Sequence, residues 1–325
     1  MTIRTAILGY GNLGRGVEQA VAAAPDMEAV VVFTRRDPAS VTTFGTPVAH
    51  VDDMGDWADR VDVCLCCGGS ATDLADQVPQ ALAYFPTVDS FDTHAKIPEY
   101  FASCDRAASD AGTAALISVG WDPGLFSLAR TLGEAIVPDS LEETFWGVGV
   151  SQGHSDALRR IDGVADAVQY TVPREEALES VRSGEAREPL ETRAKHTRRC
   201  FVVAEEGADR DAITDAIVTM PNYFADYDTS VEFVSAEELA RNHSGMPHGG
   251  TVLRRGSTAG GSAATMEFSL DLGSNPQFTG AVVAACGRAL HRLVSGGVRG
   301  ALTIFDIPLG ALHPEGPEHL RAHLL

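Results

Sequence analysis

The sequence predicts an α/β protein in which helices cover both faces of a parallel β-sheet. Three observations support this fold class. Short runs that are apolar throughout recur in the first 120 residues, helical spacing separates several of them, and the first run stops at a glycine-rich turn. Strands without a polar face are typical of a parallel sheet with two buried faces, and the helices between them supply the required crossovers.

The predicted strands of this first domain are residues 3–9, 27–33, 61–67, 87–89 and 114–119, with helices at 14–24 and 97–111. The turn-rich stretch GWDPG at 120–124 ends the pattern. A helix at 125–136 follows, and then runs that alternate or carry polar residues, which predict a mixed sheet with a less buried face. These later strands are expected at 141–150, 197–206, 229–238 and 258–273, with helices at 155–170 and 209–220.

A long apolar helix at 276–295 is expected to return to the first domain. The sequence therefore predicts a dinucleotide-binding domain at 1–120 and an α/β substrate domain at 121–275. A helical C-terminal segment at 276–325 would pack back on the first domain.

Composition narrows the class of protein. The 325 residues are 44% hydrophobic and 22% charged, as in soluble globular proteins. A net charge of −20 argues against nucleic acid or an anionic membrane as a partner. Without a long apolar run or a signal sequence, we expect a cytoplasmic protein. Three of the six cysteines fall in one apolar run, VDVCLCCGG, so buried free thiols are expected and no metal site is predicted.

The glycine-rich turn has the G-x-G-x-x-G pattern of a Rossmann dinucleotide site. Its residues are Gly9, Tyr10, Gly11, Asn12, Leu13 and Gly14. A predicted strand precedes the motif and a helix follows it, so the glycines would let a pyrophosphate approach the helix N-terminus. The second strand is followed by Thr34, Arg35 and Arg36, where an NAD site would place an acid. A hydroxyl and two guanidinium groups favour the 2′-phosphate of NADP instead.

Loops after later strands should border the same crevice, because the carboxyl ends of parallel strands share one edge. The residues that we expect to contact the cofactor there are Ser70, Ala71, Thr72, Asp73, Ser90, Phe91, Asp92, Trp121, Asp122 and Pro123. Asp92 and Asp122 could also bind a cationic ammonium group. Arg198 beside Thr171 would suit a carboxylate, and His248 lies in a glycine-rich loop that could approach a ligand.

His154, Ser155 and Asp156 resemble the parts of a hydrolase triad, but adjacent side chains project in different directions and cannot form one. Ser155 is instead predicted to be the N-cap of a helix.

These motifs resemble one family, the meso-diaminopimelate D-dehydrogenases, over essentially the whole chain. They are GYGNLGR, the pair Arg35 and Arg36, GSATD, VD-x-x-D-x-H, GWDPG, TFWG, SQGHSDALRRI, QYT, RRCFVVA, MPHGG and NP-x-F. The resemblance implies an NADP-dependent homodimer that oxidatively deaminates the D centre of meso-2,6-diaminopimelate during lysine biosynthesis. The products would be L-2-amino-6-oxopimelate, which cyclises to tetrahydrodipicolinate, and ammonia.

The resemblance also assigns residues to the two ends of the substrate. The D end would be met by Asp92, Asp122, Trp146, Gln152, Gly153 and His154, and the L end by Thr171, Arg198, His248 and Asn275. The general base would be Asp92 or Asp122, with His154 ranked third.

Two alternatives remain open. The first is another NADP reductase of the aspartate and lysine pathway, although homoserine-type sites need lysines and the chain has only Lys96 and Lys195. The second is a protein that senses NADP without catalysis.

Overall fold

The structure is a computed structural model that describes residues 2–325. Its strands, in chain order, are β1 (Ile3–Leu8), β2 (Met27–Thr34), β3 (Val48–His50), β4 (Val63–Cys66), β5 (Thr87–Asp89), β6 (Ala114–Leu116), β7 (Asp139–Trp146), β8 (Gly149–Val150), β9 (Val164–Pro173), β10 (His196–Ala204), β11 (Asp228–Phe233), β12 (His248–Ser257), β13 (Ala263–Leu272) and β14 (Gly300–Leu302). Its α-helices are α1 (Asn12–Ala23), α2 (Leu74–Ala81), α3 (Ile97–Asp110), α4 (Leu125–Ile136), α5 (Gln152–Leu158), α6 (Glu175–Ser183), α7 (Thr192–Lys195), α8 (Arg210–Val218), α9 (Ala236–Asn242), α10 (Asn275–Ser295), α11 (Leu309–Leu312) and α12 (Pro317–His323).

The chain divides into two compact units. The first contains the residues up to Leu128 together with Pro276–Leu325, and the second is Ala129–Asn275. The first division therefore falls inside α4, later than the position near residue 120 that the turn at 120–124 suggested. α4 begins in one unit and continues into the other without a break, which is why no local sequence signal marks the boundary.

A parallel sheet forms the centre of the first unit, with strand order β14-β6-β5-β4-β1-β2-β3. Its strands are buried on both faces, and a separate apolar cluster covers each face. The predicted fold class is confirmed. β3 and β14 were not predicted, and β14 shows that the C-terminal segment adds a strand to the sheet as well as helices.

The helix α10 packs back against α1 through two glycines. A Cβ on Gly280 would lie 2.5 Å from the carbonyl carbon of Gly16, so only glycine permits this close crossing. Apolar residues of α10 such as Val283 and Leu290 complete the cluster that covers one face of the sheet. The last part of the chain is thus structurally integral to the first unit.

The second unit contains two sheets. One has the order β11-β10-β9-β8 and is mixed, because β10 pairs with β11 in parallel and with β9 antiparallel. The other is the antiparallel sheet β13-β12-β7. The run predicted as one strand at 141–150 therefore splits between two sheets. The chain turns at Gly147, which has φ of 108° and whose N–H donates to the carbonyl of Gly249.

Three further predictions for this unit are wrong. Residues 155–170 form the end of α5 and then most of β9, because Gly163 adopts a positive φ of 85° and redirects the chain. The run at 229–238 ends as a strand at Phe233, and Ser235 caps α9 by accepting from the N–H of Glu238. His248 and the two following glycines begin β12 rather than forming a loop.

None of the helices in residues 2–325 combines the length and the apolar character that crossing a lipid bilayer requires.

All six cysteines are buried free thiols. Burial raises the pKa of Cys200 and of Cys286 to about 12, so these thiols stay protonated and unreactive.

Candidate functional site

The glycine-rich turn after β1 lies where the strand order of the parallel sheet reverses. β1 pairs with β2 on one side and with β4 on the other, and the chain proceeds outward from β1 in both directions. Ligands of open α/β sheets bind outside the carboxyl ends of the strands at such a switch point. The turn is therefore at the position expected for a dinucleotide.

The glycines of this turn differ in how much space a side chain would find at each position. A Cβ on Gly14 would lie 2.3 Å from the carbonyl oxygen of Gly9, and Gly9 itself has a φ of +93°. Around Gly11, by contrast, an added Cβ would meet no atom within 4 Å, and no side chain caps the N-terminus of α1. Open space beside an uncapped helix N-terminus fits a pyrophosphate, since the helix dipole and the first peptide N–H groups favour an anion there.

Two side chains of the motif serve the fold. Tyr10 is buried, and its hydroxyl donates a hydrogen bond to the carboxylate of Glu18. Burial raises the pKa of Tyr10 to about 12, so the phenol stays protonated. Leu13 packs against the apolar cluster under the sheet. The buried side chain of Tyr10 is thus unavailable to a cofactor, while Leu13 is half-buried and the exposed Asn12 opens α1.

The group that follows β2 fits a 2′-phosphate. Thr34 is buried and its hydroxyl accepts from the N–H of Arg36, while both arginines are exposed. Nη2 of Arg36 donates to the carbonyl of Tyr10 at 3.2 Å, so this guanidinium lies beside the glycine-rich turn. Arg35 pairs with the Asp73 carboxylate at 2.5 Å. Two cations at this edge suit the charge of NADP, with Arg35 already partly neutralised.

The loops after β4 and β5 are linked to each other. The N–H of Asp92 donates to the Ser70 hydroxyl at 3.0 Å, and Asp73 accepts from the N–H of Gly69 as well as from Arg35. These bonds lower the pKa of Asp73 against the opposing effect of its partial burial. Asp73 therefore holds its own loop together, and Ala71 and Thr72 are exposed at the tip of that loop.

Asp89, at the end of β5, joins the two segments that carry the predicted carboxylates Asp92 and Asp122. It is fully buried, and Oδ1 accepts from the N–H of Phe91 at 2.9 Å and of Ser118 at 3.1 Å. Oδ2 accepts from the Tyr100 hydroxyl at 2.8 Å. Burial raises the pKa of Asp89 to about 6.

Each predicted carboxylate is close to that anchor in sequence. Asp92 is exposed directly after Phe91, whose buried ring stacks on Tyr100 with centroids 4.0 Å apart. Ser90, which precedes Phe91, is half-buried. Phe91 can therefore offer a cofactor only its backbone.

Asp122 lies in a tight turn that begins two residues after Ser118. The turn is closed at Gly124, where a Cβ would lie 1.9 Å from the carbonyl oxygen of Gly120. Trp121 is mostly buried and meets Phe126 edge-on, while Asp122 and Pro123 remain half-buried. The first unit thus places Asp92 and Asp122 on two loops that share the Asp89 anchor.

In the second unit, Arg198 and Thr171 are directly opposite each other on β10 and β9. Nη1 of Arg198 donates to the Thr171 hydroxyl, and the guanidinium lies over the ring of Tyr227 at 3.8 Å. The side chain is buried, and Nε has no hydrogen-bond partner. Burial lowers the pKa of Arg198, and no carboxylate in the described residues forms an ion pair with it. An incoming carboxylate would satisfy this cation.

His248 and Thr171 both adjoin β8. Gly149 pairs with Thr171, and a Cβ on Gly149 would lie 2.4 Å from the imidazole of His248. Burial lowers the pKa of His248, which makes the neutral ring the form present near pH 7. The N–H of Asn275 donates to the carbonyl of Met246, two residues before His248. The structure thus gathers the four predicted L-end residues around β8, β9 and β10.

The segment predicted to meet the D end forms the short helix α5. His154 Nδ1 lies 3.2 Å from Oε1 of Gln169, and burial together with the charge of Arg198 lowers the pKa of His154 to about 4. Gln152 and Gly153 are exposed, and the Gln152 amide contacts the Met246 sulfur at 2.7 Å. A histidine with so low a pKa is a poor proton acceptor near neutrality.

The N-cap predicted at Ser155 is wrong. Ser155 lies inside α5, where its hydroxyl donates to the carbonyl of Ser151 and accepts from the N–H of Gln169. The hydroxyl therefore joins α5 to β9 rather than starting a helix.

Trp146 ends β7 with 37% of its surface exposed. Its backbone N–H donates to Nε2 of His196, and the two rings stack. The sequence analysis missed His196, although alternation on β10 places it on the same face as Arg198 two residues later. It also missed Tyr227, Gln169 and Asp89 as neighbours of the site. Tyr227 is distant in sequence from the residues that it contacts, and no local pattern marks it.

Known proteins resemble this chain over nearly its whole length. Residues 120–274 match the family described as Diaminopimelic acid dehydrogenase C-terminal domain. The chain is 58% identical over 324 residues to the meso-diaminopimelate D-dehydrogenase of Ureibacillus thermosphaericus, with 99% of each chain covered.

Two solved structures are similar over their full length, with all of each chain covered. One is the diaminopimelate dehydrogenase of Corynebacterium glutamicum in complex with diaminopimelate, at 46% identity and a TM-score of 0.92. The other is an engineered D-amino acid dehydrogenase bound to NADP+, at 44% identity and a TM-score of 0.87.

Proposed function

The chain belongs to the meso-diaminopimelate D-dehydrogenase family, and from that premise we propose that it catalyses the reversible, NADP-dependent deamination of meso-2,6-diaminopimelate. The D centre is oxidised to give L-2-amino-6-oxopimelate, NADPH, ammonium and a proton, with one water consumed. The product cyclises to tetrahydrodipicolinate. We also propose that the enzyme acts in the cytoplasm during lysine biosynthesis and that it is a homodimer.

One observation carries the assignment of substrate. Arg198 is a buried cation with an unpartnered Nε, and its contacts are a hydroxyl and an aromatic ring instead of an acid. Leaving a buried charged donor unsatisfied costs about 1–3 kcal/mol or more, which a ligand carboxylate would offset. A substrate with a second carboxylate far from its reacting carbon meets that need.

Thr171, Arg198, His248 and Asn275 would hold the L end of the substrate. A guanidinium and a hydroxyl suit the L carboxylate, and the amide and imidazole can bond the remaining polar atoms. For the D end we propose Asp92, Asp122, Trp146 and residues 152–154. The two carboxylates favour the D ammonium group by charge.

NADP, when bound, supplies the hydride acceptor at the nicotinamide ring. The protein's part is to orient a flexible substrate so that only the D α-hydrogen faces the ring, and to accept the proton that the ammonium group loses. Asp92 or Asp122 would accept this proton. His154 is less suited, since its pKa of about 4 makes it a weak base. Water then hydrolyses the substrate imine to the oxo acid and ammonium.

The test is a spectrophotometric assay with NADP and diaminopimelate isomers at alkaline pH. We expect NADPH to appear with the meso isomer and not with the L,L isomer, which has no D centre. Turnover of a different substrate of the lysine pathway, with none of meso-diaminopimelate, would refute the proposal. Binding of NADPH without turnover of any amino acid would instead support a sensor. Size-exclusion chromatography with light scattering tests the dimer, and a monomer at assay concentrations would contradict it.

A further inference from the structure

The orientation of Arg198 is not explained by its hydrogen bonds alone. Nη1 donates to Thr171, but a single bond to one nitrogen leaves the guanidinium plane free to rotate about that bond. The other contact is with Tyr227, whose ring centroid is 3.8 Å from the central guanidinium carbon and whose hydroxyl also interacts with the cation. An aromatic face at this distance attracts the cation and favours parallel stacking of the two planar groups.

The backbone around Tyr227 fixes where its ring can lie. Tyr227 directly precedes β11, which runs parallel to β10 with Thr229 paired to Arg198. Its N–H donates to the carbonyl of Phe224, a fully buried residue. On its other side, Asp228 forms an ion pair with Arg193 at 2.7 Å. The backbone of Tyr227 is therefore fixed by its bond to Phe224 on one side and by the ion pair of Asp228 on the other. The half-buried side chain of Tyr227 is held beside the guanidinium.

Stacking leaves a particular part of Arg198 available. The guanidinium carbon lies over the ring of Tyr227, Thr171 is bonded to Nη1, and the unpartnered Nε shares the opposite edge with Nη2. That edge is the one that pairs side-on with a carboxylate through two parallel hydrogen bonds. Loss of the stacking would let the plane turn, and a bidentate pair tolerates little rotation.

We propose that Tyr227 is a positioning residue that acts through Arg198 and sets the enzyme's preference for substrates with a distal carboxylate. Its ring fixes the guanidinium plane so that the Nε edge faces the L carboxylate. The inference rests on the proposed function, because it takes the L end of meso-diaminopimelate as the ligand of Arg198. Tyr227 itself needs no contact with the substrate.

The test compares Tyr227→Leu with Tyr227→Phe and Tyr227→Trp, which keep an aromatic face. We expect Tyr227→Leu to raise KM for meso-diaminopimelate about tenfold, equivalent to about 1.4 kcal/mol. A contact that binds ground state and transition state equally changes KM and leaves kcat within about twofold. Both aromatic variants should restore KM to within about threefold of the wild type, an order-of-magnitude expectation from the same cation–π contact.

A matched control lies on β11, the strand that directly follows Tyr227. Phe233 on β11 also has a cation over its ring, Arg210 at 5.1 Å, but neither residue adjoins Arg198 in the sheet. Phe233→Leu should leave KM unchanged. A loss of kcat with unchanged KM in Tyr227→Leu, or equal effects of Leu and Phe at 227, would overturn the proposal, because either result indicates a structural role only.

A binding measurement separates this inference from the proposed function. L-2-Aminopimelate carries the same L end, including the carboxylate assigned to Arg198, but has no amino group at its other end and therefore no D centre to oxidise. Calorimetry in the presence of NADPH thus reports its affinity without turnover. Binding by the wild type with about tenfold weaker binding by Tyr227→Leu supports the inference. Equal affinities, or no binding by the wild type, overturn it. Absence of turnover of meso-diaminopimelate would instead count against the proposed function.

Discussion

The Nε2 atom of His196 accepts a hydrogen bond from the backbone N–H of Trp146 at 2.9 Å, and the imidazole stacks on the indole with centroids 5.6 Å apart. Burial, with the charges of Arg198 and Lys195, lowers the pKa of His196 to about 4. The imidazole is therefore neutral near pH 7 and keeps a lone pair for this bond. The two contacts join Trp146, at the end of β7, to a residue on a different sheet.

We expect His196→Phe to lower kcat/KM for meso-diaminopimelate about tenfold. Phenylalanine preserves the stacked ring but removes the acceptor, which costs about 1 kcal/mol or more. His196→Gln offers an acceptor without the ring and should retain more activity. Steady-state kinetics with both variants tests whether the hydrogen bond between Trp146 and His196 supports activity. A fully active Phe variant would show that this bond does not position Trp146.

The same histidine should affect stability in acid. Its pKa is lowered in the folded state, so the unfolded state binds more protons between about pH 4 and pH 6.5. The stability that the neutral imidazole contributes is complete above pH 6.5 and is lost as the pH falls towards 4. Urea titrations from pH 4.5 to 7.5 give the free energy of unfolding at each pH. As the pH falls, this free energy should decrease less for His196→Phe than for the wild type. The same pH dependence in both proteins would contradict the assigned ionisation of His196.

Arg198→Met should separate stability from activity. Replacing an unpaired buried cation by an apolar side chain of similar length should leave the ligand-free protein as stable or about 1 kcal/mol more stable. Activity should fall about a hundredfold or more, because the distal carboxylate loses its charged partner. Arg199→Met is the matched control, since Arg199 is exposed on the same strand. Thermal unfolding measures the stability and steady-state kinetics the activity. A clear loss of stability in Arg198→Met would contradict the expectation that the ligand-free protein gains nothing from this cation.

Cofactor choice should depend more on Arg36 than on Arg35, because Asp73 already neutralises part of the charge of Arg35. We expect Arg36→Ala to raise KM for NADP about ten- to a hundredfold, as for loss of a charge-assisted hydrogen bond, and to leave KM for NAD nearly unchanged. Arg35→Ala should have a smaller effect. The exposed Arg106 on α3 provides a control alanine variant. Equal increases for NADP and NAD would show that neither arginine binds the 2′-phosphate.

Asp89→Asn should change how stability depends on pH. Because the pKa of Asp89 is raised to about 6, the folded state binds more protons than the unfolded state between about pH 4 and pH 6. The contribution of Asp89 to stability therefore falls as the pH rises through this range, by on the order of 3 kcal/mol. Asparagine has no proton to lose and keeps an acceptor for the Phe91 and Ser118 N–H groups.

Chemical unfolding of Asp89→Asn and the wild type between pH 4 and pH 7 tests this. The variant should become progressively more stable relative to the wild type as the pH rises. A difference that stays constant over the range would show that Asp89 does not titrate there.

The first unit was the more predictable half of the chain. Strands such as 27–33 are apolar throughout, and the pattern of apolar runs and helices specifies a parallel sheet without further information. The stretch at 164–170 shows the opposite case. Val164, Ala167 and Val168 allow a helical reading, and only pairing with β8 and β10 makes the segment a strand. Tertiary pairing overrides weak local preference at such positions.

The site shows the same distinction. Residues in motifs, such as Gly11, Thr171 and Arg198, could be named because their residue type and neighbours indicate the chemistry. Tyr227 and His196 act through contacts that join segments distant in sequence. Asp89 was visible as a residue but not as a shared acceptor for two loops. That role depends on the parallel pairing of β5 with β6, which no spacing encodes.

The return of the chain to the first unit has a consequence for its synthesis on the ribosome. Residues 129–275 leave the exit tunnel before β14 and α10, which the first unit needs for its edge strand and part of its apolar cluster. The middle of the chain can therefore fold while the earlier part still exposes apolar surface. A nascent chain that stalls near residue 275 should be recognised by chaperones and cleaved by proteases within its first 128 residues.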